Sequence, residues 1–143
     1  MSVDRILSVK GHEVVSIPLD QTLGEAARML SERRIGAVLV SDGEHAVAGI
    51  VSERDIVRAV SSHGADSLDQ PVSRFMTSKV VTCTRNASIN DLMEAMTNGK
   101  FRHVPVVEHG ELLGIISIGD VVKQHVEEVE AESQAIKEYI ATA

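Results

Sequence analysis

Two short polar signatures carry the chemistry this chain could do. Ser52-Glu53-Arg54-Asp55 and Ser117-Ile118-Gly119-Asp120 each place a carboxylate three residues after a hydroxyl, directly behind the apolar runs Gly49-Ile50-Val51 and Gly114-Ile115-Ile116. At a helix start this spacing makes a capping box, the hydroxyl accepting from the N3 amide and the carboxylate favouring the positive helix end. It also suits ligand binding. A helix N-terminus behind a strand offers free amides and a hydroxyl to a phosphate, and a carboxylate one turn in can accept both hydroxyls of a ribose. A glycine just ahead lets a ligand approach the backbone. Both readings stand at this point.

Other chemistries find little support. The histidines at 12, 45, 63, 103, 109 and 125 form no i, i+4 pair and have no cysteine partners, so no metal site is expected. Cys83 has no motif neighbour and reads as a small core hydrophobe, not a nucleophile. Gly114 to Gly119 is one residue too long for a Gly-x-Ser-x-Gly elbow, and no glycine-rich dinucleotide or P-loop run occurs. Catalysis is not expected. A net charge of -7 and 2% aromatic residues speak against nucleic-acid binding. The start, MSVDRILSVK, lacks the apolar run of a signal peptide or membrane span, and with a single cysteine the expectation is a cytoplasmic protein.

The elements that must position these residues repeat. Thr22-Leu23-Gly24-Glu25 matches Ser88-Ile89-Asn90-Asp91 at an offset of 88 − 22 = 66, and Gly49 to Val57 matches Gly114 to Val122 at 114 − 49 = 65. Upstream, Val3 to Leu7 echoes Val72 to Met76 at 72 − 3 = 69, which makes Lys10-Gly11-His12 look like a three-residue insertion. Each copy reads alike. Val14-Val15-Ser16-Ile17 and Val80-Val81-Thr82-Cys83 are β-branched runs expected as strands. Thr22-x-x-Glu25 and Ser88-x-x-Asp91 should open helices with apolar stripes at Leu23, Ala26, Ala27, Leu30 and at Ile89, Leu92, Met93, Met96. Hairpins follow, over 35–40 with 47–51 and over 101–107 with 112–116, and then a helix from near Ser52 or Ser117. The expected class is α+β: two β-α-β-β-α repeats packed sheet to sheet with a cleft between them, since neither unit could bury its apolar faces alone. The divisions are 1–60, a linker 61–71, a second repeat 72–123 and a helical extension 124–143.

This double pattern resembles a tandem pair of CBS domains, the regulatory modules named after cystathionine β-synthase, over about Val3 to Lys123. The resemblance implies a sensor, not an enzyme, that binds AMP, ADP, ATP, NAD or S-adenosylmethionine between the units. It puts the ribose role on Asp55 and Asp120 and the phosphate-side hydroxyls on Ser52 and Ser117, with Gly49, Ile50, Gly114 and Ile115 lining the approach. Adenine would lie against the opposite unit's first strand: Val80, Val81 and Thr82 for the Asp55 site, Val14, Val15 and Ser16 for the Asp120 site. Lys100 to Val107 resembles the family's phosphate-facing strand, with Arg102, His103 and Pro105 as candidates. The first unit departs there, having Gly36 and Ala37, and Arg54 could supply the missing charge where its counterpart Gly119 cannot. The two sites should therefore differ.

The tail carries a separate signal. Val122, Val126, Val129, Ser133, Ile136 and Ile140 recur at alternating steps of four and three, with Glu127, Glu128, Glu130 and Glu132 on the other face. Such a stripe either folds back on its own unit or meets a second subunit, and the resemblance implies a homodimer.

Overall fold

The computed structural model describes residues 2–142. The first unit contains β1 (Ser16–Pro18), α2 (Leu23–Arg33), β2 (Ala37–Ser41), β3 (Gly49–Ser52) and α3 (Glu53–His63), preceded by α1 (Val3–Lys10). The second has α4 (Ile89–Gly99), β4 (His103–Glu108), β5 (Glu111–Ser117) and α5 (Ile118–Thr142). Short 3-10 turns over Ala65–Asp69 and Val72–Arg74 join them. The fold is α+β with two small sheets.

Local chemistry explains the helix limits. The Thr22 and Ser88 hydroxyls accept from the Glu25 and Asp91 amides at 3.1 and 3.0 Å, so both capping spacings form as expected. The apolar stripes then bury Leu23, Ala26 and Leu30 on α2, and Ile89, Leu92 and Met96 on α4. Each helix stops at a left-handed residue, Arg34 (φ 54°) or Lys100 (φ 56°). The repeat extends even to the stops.

The sheets depart from expectation at their edges. β1 pairs parallel with β2, and β2 pairs antiparallel with β3, but the ladder of β1 begins at Ser16, two residues later than the run from Val14. In the second unit the strand expected over Val80–Cys83 shrinks to Cys83, whose amide donates to Pro105 O at 3.0 Å and whose carbonyl accepts from Val107 at 2.8 Å. Val80 and Val81 before it line a cavity and form no ladder. The second hairpin closes on only two residues, His109 (φ 52°) and Gly110 (φ 77°), which suits a type I′ turn. Glu108 and Glu111, expected in the loop, are paired instead.

Two separate cores form, and they do not follow the repeat boundaries along the chain. Val3, Ile6 and Leu7 of α1 pack with Ile89, Leu92, Met96, Val104 and Val121 of the second unit. Val72, Phe75 and Met76 pack with Leu23, Val38, Val40 and Val51 of the first. Each unit thus lends its leading segment to the other. This exchange ties the halves together without a continuous sheet.

Candidate functional site

The two glycines expected to admit a ligand are covered by the exchanged segments. A Cβ at Gly49 would meet Met76 Sδ at 2.5 Å, and one at Gly114 would meet Leu7 Cδ2 at 2.7 Å. These positions correspond, since Leu7 and Met76 are separated by 76 − 7 = 69 residues. The glycines let the crossing side chains of Met76 and Leu7 pack directly on the strand backbone.

Behind Gly49, Ser52 caps α3. Asp55 Oδ2 accepts from the Ser52 amide at 2.8 Å and its hydroxyl at 3.1 Å, while the Asp55 amide points to Ser52 Oγ at 3.4 Å. The capping box is complete, and the Ser52 hydroxyl is turned toward Asp55. Asp55 is 8% exposed, and among the described residues the Arg58 guanidinium lies 3.8 Å from its Oδ1, which accepts no hydrogen bond. That oxygen retains acceptor capacity for a ligand hydroxyl.

Asp55 lies on a cavity of about 450 Å³ between the units, within the range of small-molecule sites. Its walls bring together Ile50, Ser52, Arg54, Asp55, Val80, Val81, Arg102 and His103 from among the expected residues. Thr82, Gly49 and Pro105 do not line it, and Pro105 pairs with Ile115 inside the β4–β5 ladder. Sequence reasoning missed Arg58, Lys79 and Glu53 as wall residues, although Lys79 answers Lys10 across the same offset of 79 − 10 = 69. Arg54 Nη1 spans the gap to Lys100 O at 3.4 Å. Arg54, Arg58, Lys79, Lys100 and Arg102 face Glu53 and Asp55, five cations against two carboxylates. In a chain of net charge -7 this is a local reversal of sign.

His103 sits at the junction of the units. Burial holds its imidazole below the usual 6.5, Lys10 and Arg102 push the same way, and Glu53 and Asp120 oppose them. It is the neutral ring that faces the cavity at neutral pH.

The Asp120 half is arranged differently. Asp120 Oδ2 accepts from the Ser117 amide at 2.9 Å, and Ser117 Oγ accepts from the Asp120 amide at 3.2 Å, a second capping box. Lys10 Nζ also reaches that Asp120 oxygen, at 2.6 Å, and donates to Ile115 O at 2.9 Å. Burial raises the Asp120 carboxyl, but the Lys10 bond and charge together with the Ser117 amide outweigh it, leaving the group below its usual 3.8. Val15 packs on the first core, and its carbonyl accepts from Leu39. Ser16 borders a concavity with Pro18, Asp42 and Gly43 instead. Val14 is partly buried just ahead of it.

Two repeated units that exchange their leading segments around a charged cavity define a paired-domain binding module, and the comparisons agree. The CBS domain family model matches residues 8–62 and 72–127, and the chain belongs to that family. A CBS-domain protein of Agrobacterium tumefaciens is 52% identical, with a TM-score of 0.85 over 87% of this chain and 99% of that one. A mitochondrial CBS domain-containing protein of Arabidopsis thaliana is 36% identical over 125 residues, 85% of this chain and 61% of that protein. A CBS domain protein of Pyrobaculum aerophilum, solved in complex with AMP, is 32% identical with a TM-score of 0.71 over 84% of this chain and 89% of that one. Among the described residues no helix is long and apolar enough to cross a membrane.

Proposed function

We propose that the cavity beside Asp55 binds an anionic adenosine-containing ligand, AMP, ADP, ATP or NAD, and that the protein is a regulatory sensor, not an enzyme. One observation carries this reading: five cationic side chains and a buried carboxylate share one cavity of about 450 Å³ in an acidic chain. The cations suit phosphates, and Asp55 Oδ1 suits a ribose hydroxyl. Val80 and Val81 offer an apolar wall to the adenine ring. S-adenosylmethionine carries a sulfonium charge and fits this wall of cations less well. Asp120, Ser117, Gly114, Ile115, Val14, Val15 and Ser16 belong to the corresponding half in this scheme. Occupancy can shift the relation of the units only through differential affinity for two arrangements, and a cavity lined by both units supports such a role. A thermal-shift and calorimetric panel of AMP, ADP, ATP, NAD and S-adenosylmethionine tests the reading. A ligand at 100 times its Kd stabilises the fold by about 2.7 kcal/mol.

A second reading, a homodimerising module whose cavity stays empty, draws on α5. Val122, Val126, Val129, Ile136 and Ile140 are 47–68% exposed on one stripe, and Val57 of α3, the counterpart of Val122 at 122 − 57 = 65, is exposed as well. Dimerisation is compatible with the first reading as well: a cytoplasmic homodimer joined through this stripe, with the ligand in the cavity of each chain, whereas a panel in which nothing binds favours the second.

A further inference from the structure

His103 stands where the two units meet, on the wall of the cavity. It begins β4, paired to Ser117, and its ring sits over Gly36 of the first unit, 3.0 Å from the place a Cβ would take there. Glu53 approaches the same point: its amide donates to Gly36 O at 3.0 Å, and its Oε1 would lie 3.4 Å from that Cβ. Among the described residues no hydrogen bond holds either ring nitrogen. The charged groups that act on the ring come from each element around it: Lys10 of α1, Glu53 of α3, Asp120 of α5 and Arg102 just ahead of β4. Lys10 and Asp120 hold each other at 2.6 Å and Glu53 opposes Arg102, so the charges offset and burial keeps the half-buried ring neutral. The rest of the charged cavity wall is Arg54, Asp55, Arg58, Lys79 and Lys100.

We infer that His103 couples this cavity to pH: the ring takes up one proton from solvent as a phosphate-bearing ligand enters and gives it back when the ligand leaves, so affinity for that ligand rises as the medium becomes more acid. This rests on the proposed ligand reading. In the empty cavity burial works against a charged ring, and the neighbouring charges do not compensate. A bound phosphate changes that balance. Drawn in by the arginines and lysines of the wall, it brings negative charge beside the ring, and an opposite charge within about 4–6 Å favours the protonated form. The proton adds to the ring nitrogen that carries none, and a ring donating from both nitrogens suits a phosphate better than a neutral one. Ligand and proton then assist each other by the same factor, as linkage requires. An uncharged nucleoside brings no such charge and should leave the ring neutral.

The test follows the histidine rings of the full chain by NMR from pH 8 to pH 5, with His103 assigned through its backbone. Saturating ADP should raise the His103 titration midpoint by about one pH unit or more, whereas adenosine should leave it in place. Calorimetry reads the reciprocal effect. The gain in ADP affinity between pH 8 and pH 6 should be roughly 3- to 10-fold larger for the parent than for His103→Gln, a comparison that cancels the titration of the ADP phosphate itself. If His103→Gln does not fold, the parent spectra alone decide. ADP that binds without moving the His103 midpoint, a midpoint raised equally by adenosine, or a pH dependence shared in full by His103→Gln overturns the inference and leaves the ligand reading intact. Failure of both ADP and adenosine to bind overturns the ligand reading instead. Inorganic pyrophosphate at matched ionic strength then decides the coupling, which stands if the His103 midpoint rises and falls if it does not.

Discussion

The imidazole of His103 fills the space that a side chain at Gly36 would occupy: a Cβ there would lie 3.0 Å from both Cε1 and Nε2. The departure of the first repeat from the second at this position is therefore a complement, since one unit's missing side chain receives the other's ring.

Gly36→Ala should accordingly destabilise the fold by about 1–3 kcal/mol through overpacking. The His103→Ala background should relieve most of that cost. A double-mutant cycle by urea unfolding reads the coupling, which should fall within about 0.5–3 kcal/mol. Strict additivity would mean the ring moves aside freely.

His103 also makes stability depend on pH. Its folded value lies below 6.5, so between that value and 6.5 the unfolded chain binds more protons, and stability falls as pH drops through this window. Urea midpoints measured downward from pH 7.5 should show the decline, and His103→Gln should flatten it. A parent and variant with parallel profiles would contradict the half-buried, neutral ring.

Much of this could be read in advance, and the misses have a common cause. Capping spacings at Thr22 and Ser88, the apolar stripes and the Ser-x-x-Asp pairs act over a few residues, and all form as expected. What escaped was decided between units. Gly49 and Gly114 suggest open backbone in sequence, whereas Met76 and Leu7 arrive from the other repeat to cover them. The run at Val80 has strand composition, but only Cys83 at its end pairs with β4. Lys10 read as part of an insertion, and its partner Asp120 lies 110 residues away.

Cys83 packs against the second core, and burial pushes its thiol up to about 11. The native protein should resist iodoacetamide at pH 7.5 and react fully once unfolded, as mass spectrometry would record. Rapid labelling of folded chain would contradict the packing.

The exposed stripe on α5 should join two chains. Ile136→Asp with Ile140→Asp places carboxylates in an apolar contact, and burying each charge is strongly unfavourable. Light scattering at low micromolar concentration should show a dimeric parent and a monomeric variant. A variant as dimeric as the parent would place the interface elsewhere.

Asp55 caps α3 and is the proposed ligand acceptor, and ATP affinity of Asp55→Ala against the parent tests the ligand reading most directly. Calorimetry should show the variant folded but binding about 10- to 150-fold more weakly, equivalent to losing a charged hydrogen-bond partner worth about 1.5–3 kcal/mol. Equal affinity and stoichiometry in parent and variant would contradict it, leaving Asp55 a helix cap alone.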